Sequence, residues 1–192
     1  QRGFVVTFSG VDGAGKSTLI AIIEHQITKQ LRKPVVVLRH RPSLLPILSA
    51  WTMGKSAAEK KAATTLPRQG NNKSKASSLA RFSYYYTDYL LGQFYIYFRY
   101  VLRGRVVIYD RYYFDFINDS RRSNINLPKW LTKSAFKLII KPHINFFLYA
   151  DAKTILARKK ELDAHTITSL TNNYLELFEE LNQNHQNRKY LP

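Results

Sequence analysis

The chain has 192 residues, 45% of them hydrophobic, which suits one domain with a substantial core and excludes a disordered polymer. It has no cysteine, so disulfides, cysteine-bound metal and thiol nucleophiles are excluded. Thirty Lys and Arg against thirteen Asp and Glu give a net charge of +17, a field that draws in phosphorylated small molecules, anionic membrane or nucleic acid.

The chain opens Gln1-Arg2-Gly3 with no initiator methionine and no visible signal peptide. We read 1–192 as a single domain, leave open a longer parent polypeptide, and expect a cytoplasmic setting. Phe4 to Phe8 has the composition of a buried strand. Gly10-Val11-Asp12-Gly13-Ala14-Gly15-Lys16-Ser17-Thr18 follows, with the spacing of a phosphate-binding loop: Gly, four residues, then Gly-Lys-Ser. Such glycines let successive backbone N–H groups turn toward phosphate oxygens. Lys16 supplies a mobile positive charge, and the Ser17 hydroxyl is placed to ligate Mg²⁺. Leu19, Ile20, Ile22, Ile23, Ile27 and Leu31 recur at helical spacing and complete a strand–loop–helix unit. These features predict binding of a nucleoside triphosphate.

Pro34 ends that helix, and Val35 to Leu38 reads as a second strand in a right-handed parallel βαβ unit. About 65 residues separate it from the next strand, too many for a simple crossover. Part of this stretch, 54–78, is basic and poor in bulky apolar residues, and is expected to be a mobile loop. Residues 81–103 form an aromatic block. Asp88, Gln93, Arg99 and the tyrosines argue against a membrane span and for a long helix beside the site. Val106 to Tyr109 is a third strand ending at Asp110, and Ile144 to Tyr149 a fourth ending before Asp151, a candidate N-cap. Leu156, Leu162 and then Leu170 to Leu181 mark two more helices. Only Arg188 to Pro192 remains after them, so a fifth strand is expected to be absent from the chain or to lie outside it. Alternating strands and helices predict an α/β fold: a three-layer α/β/α P-loop NTPase sandwich with a mostly or wholly parallel sheet. Ligands then bind at the carboxyl ends of the strands, where Gly10–Lys16, Arg39–Pro42, Asp110-Arg111 and Asp151 all fall.

Asp110 at a strand end has the position of a second nucleotide-site carboxylate, holding Mg²⁺ directly or through water and complementing Ser17. With Phe8 to Thr18, Asp110-Arg111-Tyr112 and the order of elements, the chain resembles the thymidylate kinases. The resemblance is specific in the loop and in Asp-Arg-Tyr, and loose elsewhere. It implies transfer of the γ-phosphoryl of ATP, with Mg²⁺, to an anionic small-molecule acceptor, by default dTMP, and leaves a homodimer open. It places Asp12 near the acceptor's sugar hydroxyl or a Mg²⁺-linked water, and Arg111 on a phosphate. It also requires an arginine over the transferred group. Gly13 stands after Asp12, so the loop lacks one; Arg158 is the lid candidate, with Lys159 and Lys160 as substitutes.

The departures lie on the acceptor side. Tyr89 stands where an arginine recognises thymine in the family, and His40-Arg41-Pro42 has a base where an acid is common. Acceptor specificity is therefore expected to have diverged, with Arg39, Arg41, Tyr89 and Arg111 on the acceptor and His40 more plausibly a polar contact than a catalyst. One alternative is a saccharide, glycolipid or other hydroxyl-bearing acceptor, with Asp12 as general base. From another class, the chain is a weakly catalytic ATP-binding module docked on a polyanion or membrane. Nucleic acid is the least favoured partner, because no nucleic-acid motif accompanies the charge.

Overall fold

The computed structural model describes residues 2–46 and 74–192. β1 (Val5–Ser9), β2 (Val35–Arg39), β3 (Val106–Asp110), β4 (Ile144–Phe147) and β5 (Lys189–Leu191) form one parallel sheet in the order β2-β3-β1-β4-β5. Side chains alternate across the strands. Val6, Phe8, Val106 and Ile108 pack on one face with Ile20 and Ile27, contributed by α1 (Lys16–Gln26) and the π-helical turn Ile27–Leu31 that extends it.

Val5, Val107 and Tyr109 face the larger core on the other side. That layer contains α2 (Lys75–Ile96), α3 (Phe114–Asn118), α4 (Lys129–Ala135) and α6 (Ala164–Asn184), the last preceded by the short α5 (Ala152–Arg158). On α6, Ile167, Leu170, Tyr174, Leu177, Phe178 and Leu181 recur at three- and four-residue steps and are all buried. Asp151 and Asp163 cap α5 and α6, accepting from the backbone N–H of Thr154 and Thr166 at 3.2 Å each. The layers are those of an α/β/α sandwich.

Two expectations are corrected. The fifth strand is present: Lys189–Leu191 pairs in parallel with β4. Its backbone is bracketed by Asn182, whose side chain donates to Tyr190 O at 2.6 Å and accepts from Tyr190 N at 3.0 Å. The Tyr190 ring is fully buried, 5.5 Å from that of Phe178. Three residues carry no periodic signal, and the pairing is a tertiary effect. Second, 75–78 are not loop: Ser74 caps α2, its hydroxyl accepting from Ser77 N, and Lys75 begins the helix. Residues 54–73 of the expected mobile stretch lie outside the described residues. Among the described residues no helix is long and apolar enough to cross a membrane.

Candidate active site

The carboxyl ends of β1, β2 and β3 open onto a cleft of about 1060 Å³. Its floor is the turn between β1 and α1. Gly10 takes φ +143°, and a Cβ there would lie 2.2 Å from the carbonyl oxygen of Leu148, so only glycine fits. Gly13 and Gly15 also lie at positive φ, while Ala14 donates its N–H to Val11 O at 3.2 Å. The N-terminus of α1 has no side-chain cap and no acidic residue in its first turn, and Ser17 and Thr18 stand exposed beside it. Free N–H groups and the positive dipole end thus face the cleft, the arrangement that binds anions.

Lys16 is buried against this loop, its Nζ donating to Gly10 O at 2.8 Å and Val11 O at 3.0 Å. Burial and the repulsion of Arg111 push its ammonium down to about 8, against the pull of Asp12, Asp115 and Asp110. Asp12 sits 4.0 Å from Nζ and is clamped by two arginines. Arg111 binds one carboxylate oxygen, and Arg122, from the 3₁₀ turn Ser120–Ser123, binds the other at 2.6 Å. Burial alone would push the Asp12 carboxyl up; the two arginines, with Lys16 behind them, hold it well below the usual carboxylate range.

Arg111 is itself held in place. Its backbone adopts φ +75°, unusual for a side-chain-bearing residue, with its N–H on Phe8 O at 2.8 Å. Its guanidinium also donates to Gly10 O at 3.1 Å and to Asp115 at 3.4 Å. Asp115, one helical turn on, accepts from the Tyr174 hydroxyl of α6. Burial would raise the Asp115 carboxyl, but the Arg111 charge and the Tyr174 hydrogen bond hold it below its ordinary value. His40 also has a positive φ, +66°, with its N–H on Asp110 O at 2.8 Å. Its Nδ1 is 3.9 Å from Asp115 and its Nε2 is 3.3 Å from the Ser123 hydroxyl. Burial, then Arg111, Arg122 and Arg41, push the imidazole down to about 4 despite Asp115, so it is neutral at pH 7.

Asp110 lines the cleft, and its buried Oδ1 accepts no hydrogen bond among the described residues. A carboxylate and a hydroxyl lining one cleft, as Asp110 and Ser17 do, are the oxygen donors a hard cation takes. No cluster of three or more His, Asp or Glu suited to a metal exists among the described residues, so phosphate oxygens would complete such a shell. On the far rim Arg158, the last residue of α5, donates to Gly13 O at 3.3 Å, and Lys159 beside it pairs with Glu161 at 2.7 Å. Lys160 does not line the cleft. Asp151 does not either; it is an exposed helix cap.

A second cavity of about 410 Å³ is lined by Arg39, His40, Arg41, Ser43, Tyr85, Arg122 and Ser123. Arg39, His40 and Arg122 line both spaces. Here the sequence reading of Tyr89 is corrected. Tyr89 faces neither cavity. It is buried among Tyr112, Tyr113 and Phe116, and its hydroxyl donates to His40 O. Arg41 lines the smaller cavity, but its guanidinium pairs with buried Asp88 at 2.8 Å and with Leu45 O at 2.8 Å. Asp88 also accepts from the N–H groups of Ser43 and Leu45. Gly92, one turn further along α2, comes so close to Pro42 that a Cβ would lie 2.2 Å from the proline ring. Asp88, Tyr89 and Gly92 thus anchor segment 40–45. Tyr85, a turn earlier, presents its ring to the cavity with the Arg41 guanidinium 5.2 Å from its centroid.

Arg122, Asp115 and Tyr85 were missed from sequence. Asp115, four residues after Arg111, carried a weak helical signal; Arg122 carried none.

No protein-family model matches the chain, and no curated protein sequence does. Solved structures do. Thymidylate kinase from Ehrlichia chaffeensis superposes with a TM-score of 0.62 at 15% identity, over 100% of this chain and 87% of that one. Thymidylate kinase from Candida albicans does so with a TM-score of 0.60 at 19% identity, over 98% of this chain and 83% of that one. At such identities the likeness shows the fold: the chain is built as a thymidylate kinase-like α/β/α sandwich with a wholly parallel sheet.

Proposed function

We propose that the chain is an ATP- and Mg²⁺-dependent phosphotransferase whose acceptor is a phosphate-bearing small molecule. The observation that carries this reading is the clamp of Asp12 by Arg111 and Arg122, set where the glycine-loop cleft meets the smaller cationic cavity.

The triphosphate lies along the loop between Gly10 and Thr18, on the uncapped N-terminus of α1. Its oxygens replace the Gly10 and Val11 carbonyls as partners of Lys16 Nζ. Ser17 and Asp110 would hold Mg²⁺, which would neutralise phosphate charge. A phosphate oxygen of the acceptor attacks the γ-phosphorus, the bond from that phosphorus to the β–γ bridging oxygen breaks, and ADP leaves. Arg111 and Arg122 face the acceptor phosphate, and Arg158 approaches the group in transit from the rim. Such transfer rests on positioning and charge neutralisation.

A hydroxyl acceptor would need a general base, and both Asp12 oxygens already accept from arginines while its carboxyl is held acidic. That favours an acceptor with a phosphate as nucleophile. dTMP is the first candidate, from the structural neighbours. The absence of an arginine at position 89 moves acceptor discrimination to Tyr85 and Arg39.

The test is ADP release across nucleoside monophosphates, sugar phosphates and unphosphorylated sugars, with Lys16→Ala as control. We expect release only with a phosphate-bearing acceptor and none in the variant. ATP binding with no release for any acceptor would replace the enzyme with a binding module.

A further inference from the structure

A third cavity, of about 410 Å³, lies at the opposite end of the sheet from the cleft, at the amino ends of β1, β4 and β5. Ligand pockets commonly span about 300–1,000 Å³, so this one suits a small molecule. Val5, Ile96, Val101 and Pro142, all buried, wall it together with Tyr97 and Tyr109. At about 100° per residue, Gln93 and Ile96 lie on the side of α2 turned away from its exposed Leu91, Phe94 and Phe98. The cavity therefore belongs to the inner side of that helix.

Its polar lining consists of donors that the chain leaves unused. Arg2 and Arg188 line it, neither guanidinium has a hydrogen bond or ion pair among the described residues, and no Asp or Glu is in the lining. His143 is fixed in one tautomer. The Val5 N–H donates to its Nδ1 at 3.0 Å, so the proton of the neutral ring sits on Nε2, which has no partner among the described residues. Burial and then Arg188 hold the imidazole below its ordinary value, which keeps it largely neutral at pH 7. Its backbone is locked between two strands, its N–H on Val5 O at 2.9 Å and its carbonyl accepting from Lys189 N at 3.2 Å. Gln93, by contrast, is already taken: its amide donates to Leu138 O and accepts from Ile140 N.

We propose that this cavity is a second ligand site, and that it takes a small aromatic carboxylate. The ring of such a ligand lies against the apolar walls, and its carboxylate meets Arg188, Arg2 and the His143 Nε2–H. Charge complementarity selects an anion, because two cations line the space and no carboxylate of the lining answers them. The walls select a body with apolar surface over a bare inorganic anion.

The test is equilibrium dialysis of the 192-residue chain with naphthoate, naphthamide and acetate. We expect saturable binding of naphthoate. Naphthamide, which loses the charged hydrogen bonds, and acetate, which loses the ring, should each bind about tenfold more weakly or worse. Arg188→Glu and Arg2→Glu should each weaken naphthoate by about tenfold or more, with circular dichroism unchanged. Arg122→Ala, which alters the cationic cleft at the other end of the sheet, should leave naphthoate binding as it is. Absence of saturable binding overturns the proposal, as does naphthamide binding as tightly as naphthoate. Binding that ignores both Arg188→Glu and Arg2→Glu overturns it too. Loss in Arg122→Ala with retention in Arg188→Glu places the anion in the cleft instead. None of these measurements depends on nucleotide turnover.

Discussion

Replacing Lys16 with Met should stabilise the protein while ending its activity. Lys16 carries its charge in a buried place, and its pKa of about 8 against 10.5 unperturbed corresponds to about 3 kcal/mol, at about 1.4 kcal/mol per tenfold change in proton affinity. Methionine has similar length and no charge to desolvate. The carbonyls that lose Nζ keep other donors: Gly10 O accepts from Arg111, and Val11 O from Ala14 N–H. Asp12 keeps both arginines. The expected gain at pH 7 is therefore about 1–3 kcal/mol, several degrees in Tm for a chain of this size.

The sign of its pH dependence is fixed. The folded pKa lies below the unfolded one, so the unfolded wild-type chain binds the extra proton between about pH 8 and 10.5. Wild-type stability then rises with pH through that window, and the advantage of the variant fades. Thermal unfolding without nucleotide at pH 7, 8.5 and 10 measures this. A variant less stable at pH 7, or a gap that does not change with pH, would refute the buried-charge argument. Adding ATP and Mg²⁺ should raise the wild-type Tm and leave the variant's unchanged.

Gly10→Ala should lose soluble protein or drop sharply in Tm, because its Cβ would meet Leu148 O at 2.2 Å in a backbone region alanine avoids; a normal melting curve would contradict that geometry. Arg158→Ala should reduce kcat more than ATP affinity, and steady-state kinetics with both unchanged would remove Arg158 from transfer. Tyr89→Phe should cost about 1–3 kcal/mol in chemical denaturation by stranding the His40 carbonyl, whereas Tyr89→Arg, with a charge buried among three aromatic rings, should not fold. A folded Tyr89→Arg protein would return that position to the acceptor site.

The strand–loop–helix at residues 4–31, the parallel α/β class, Asp110 at a strand end, the long aromatic helix and the Asp151 cap were all legible in the linear chain. Each follows from local spacing or a local hydrogen bond, which a linear chain displays directly. Which charges were already paired emerged from the packing of the layers. Arg41 lines the smaller cavity with its guanidinium already paired to Asp88, 47 residues away, and Arg122, without a signal in the sequence, reaches Asp12 from 110 residues away. Tyr89 occupies the expected stretch of α2, but Gly92 packs on Pro42 and the Tyr89 ring lies buried against Tyr112. β5 exists because Asn182 and β4 receive its three residues. Pairing across such separations depends on how layers pack, and no periodicity records it.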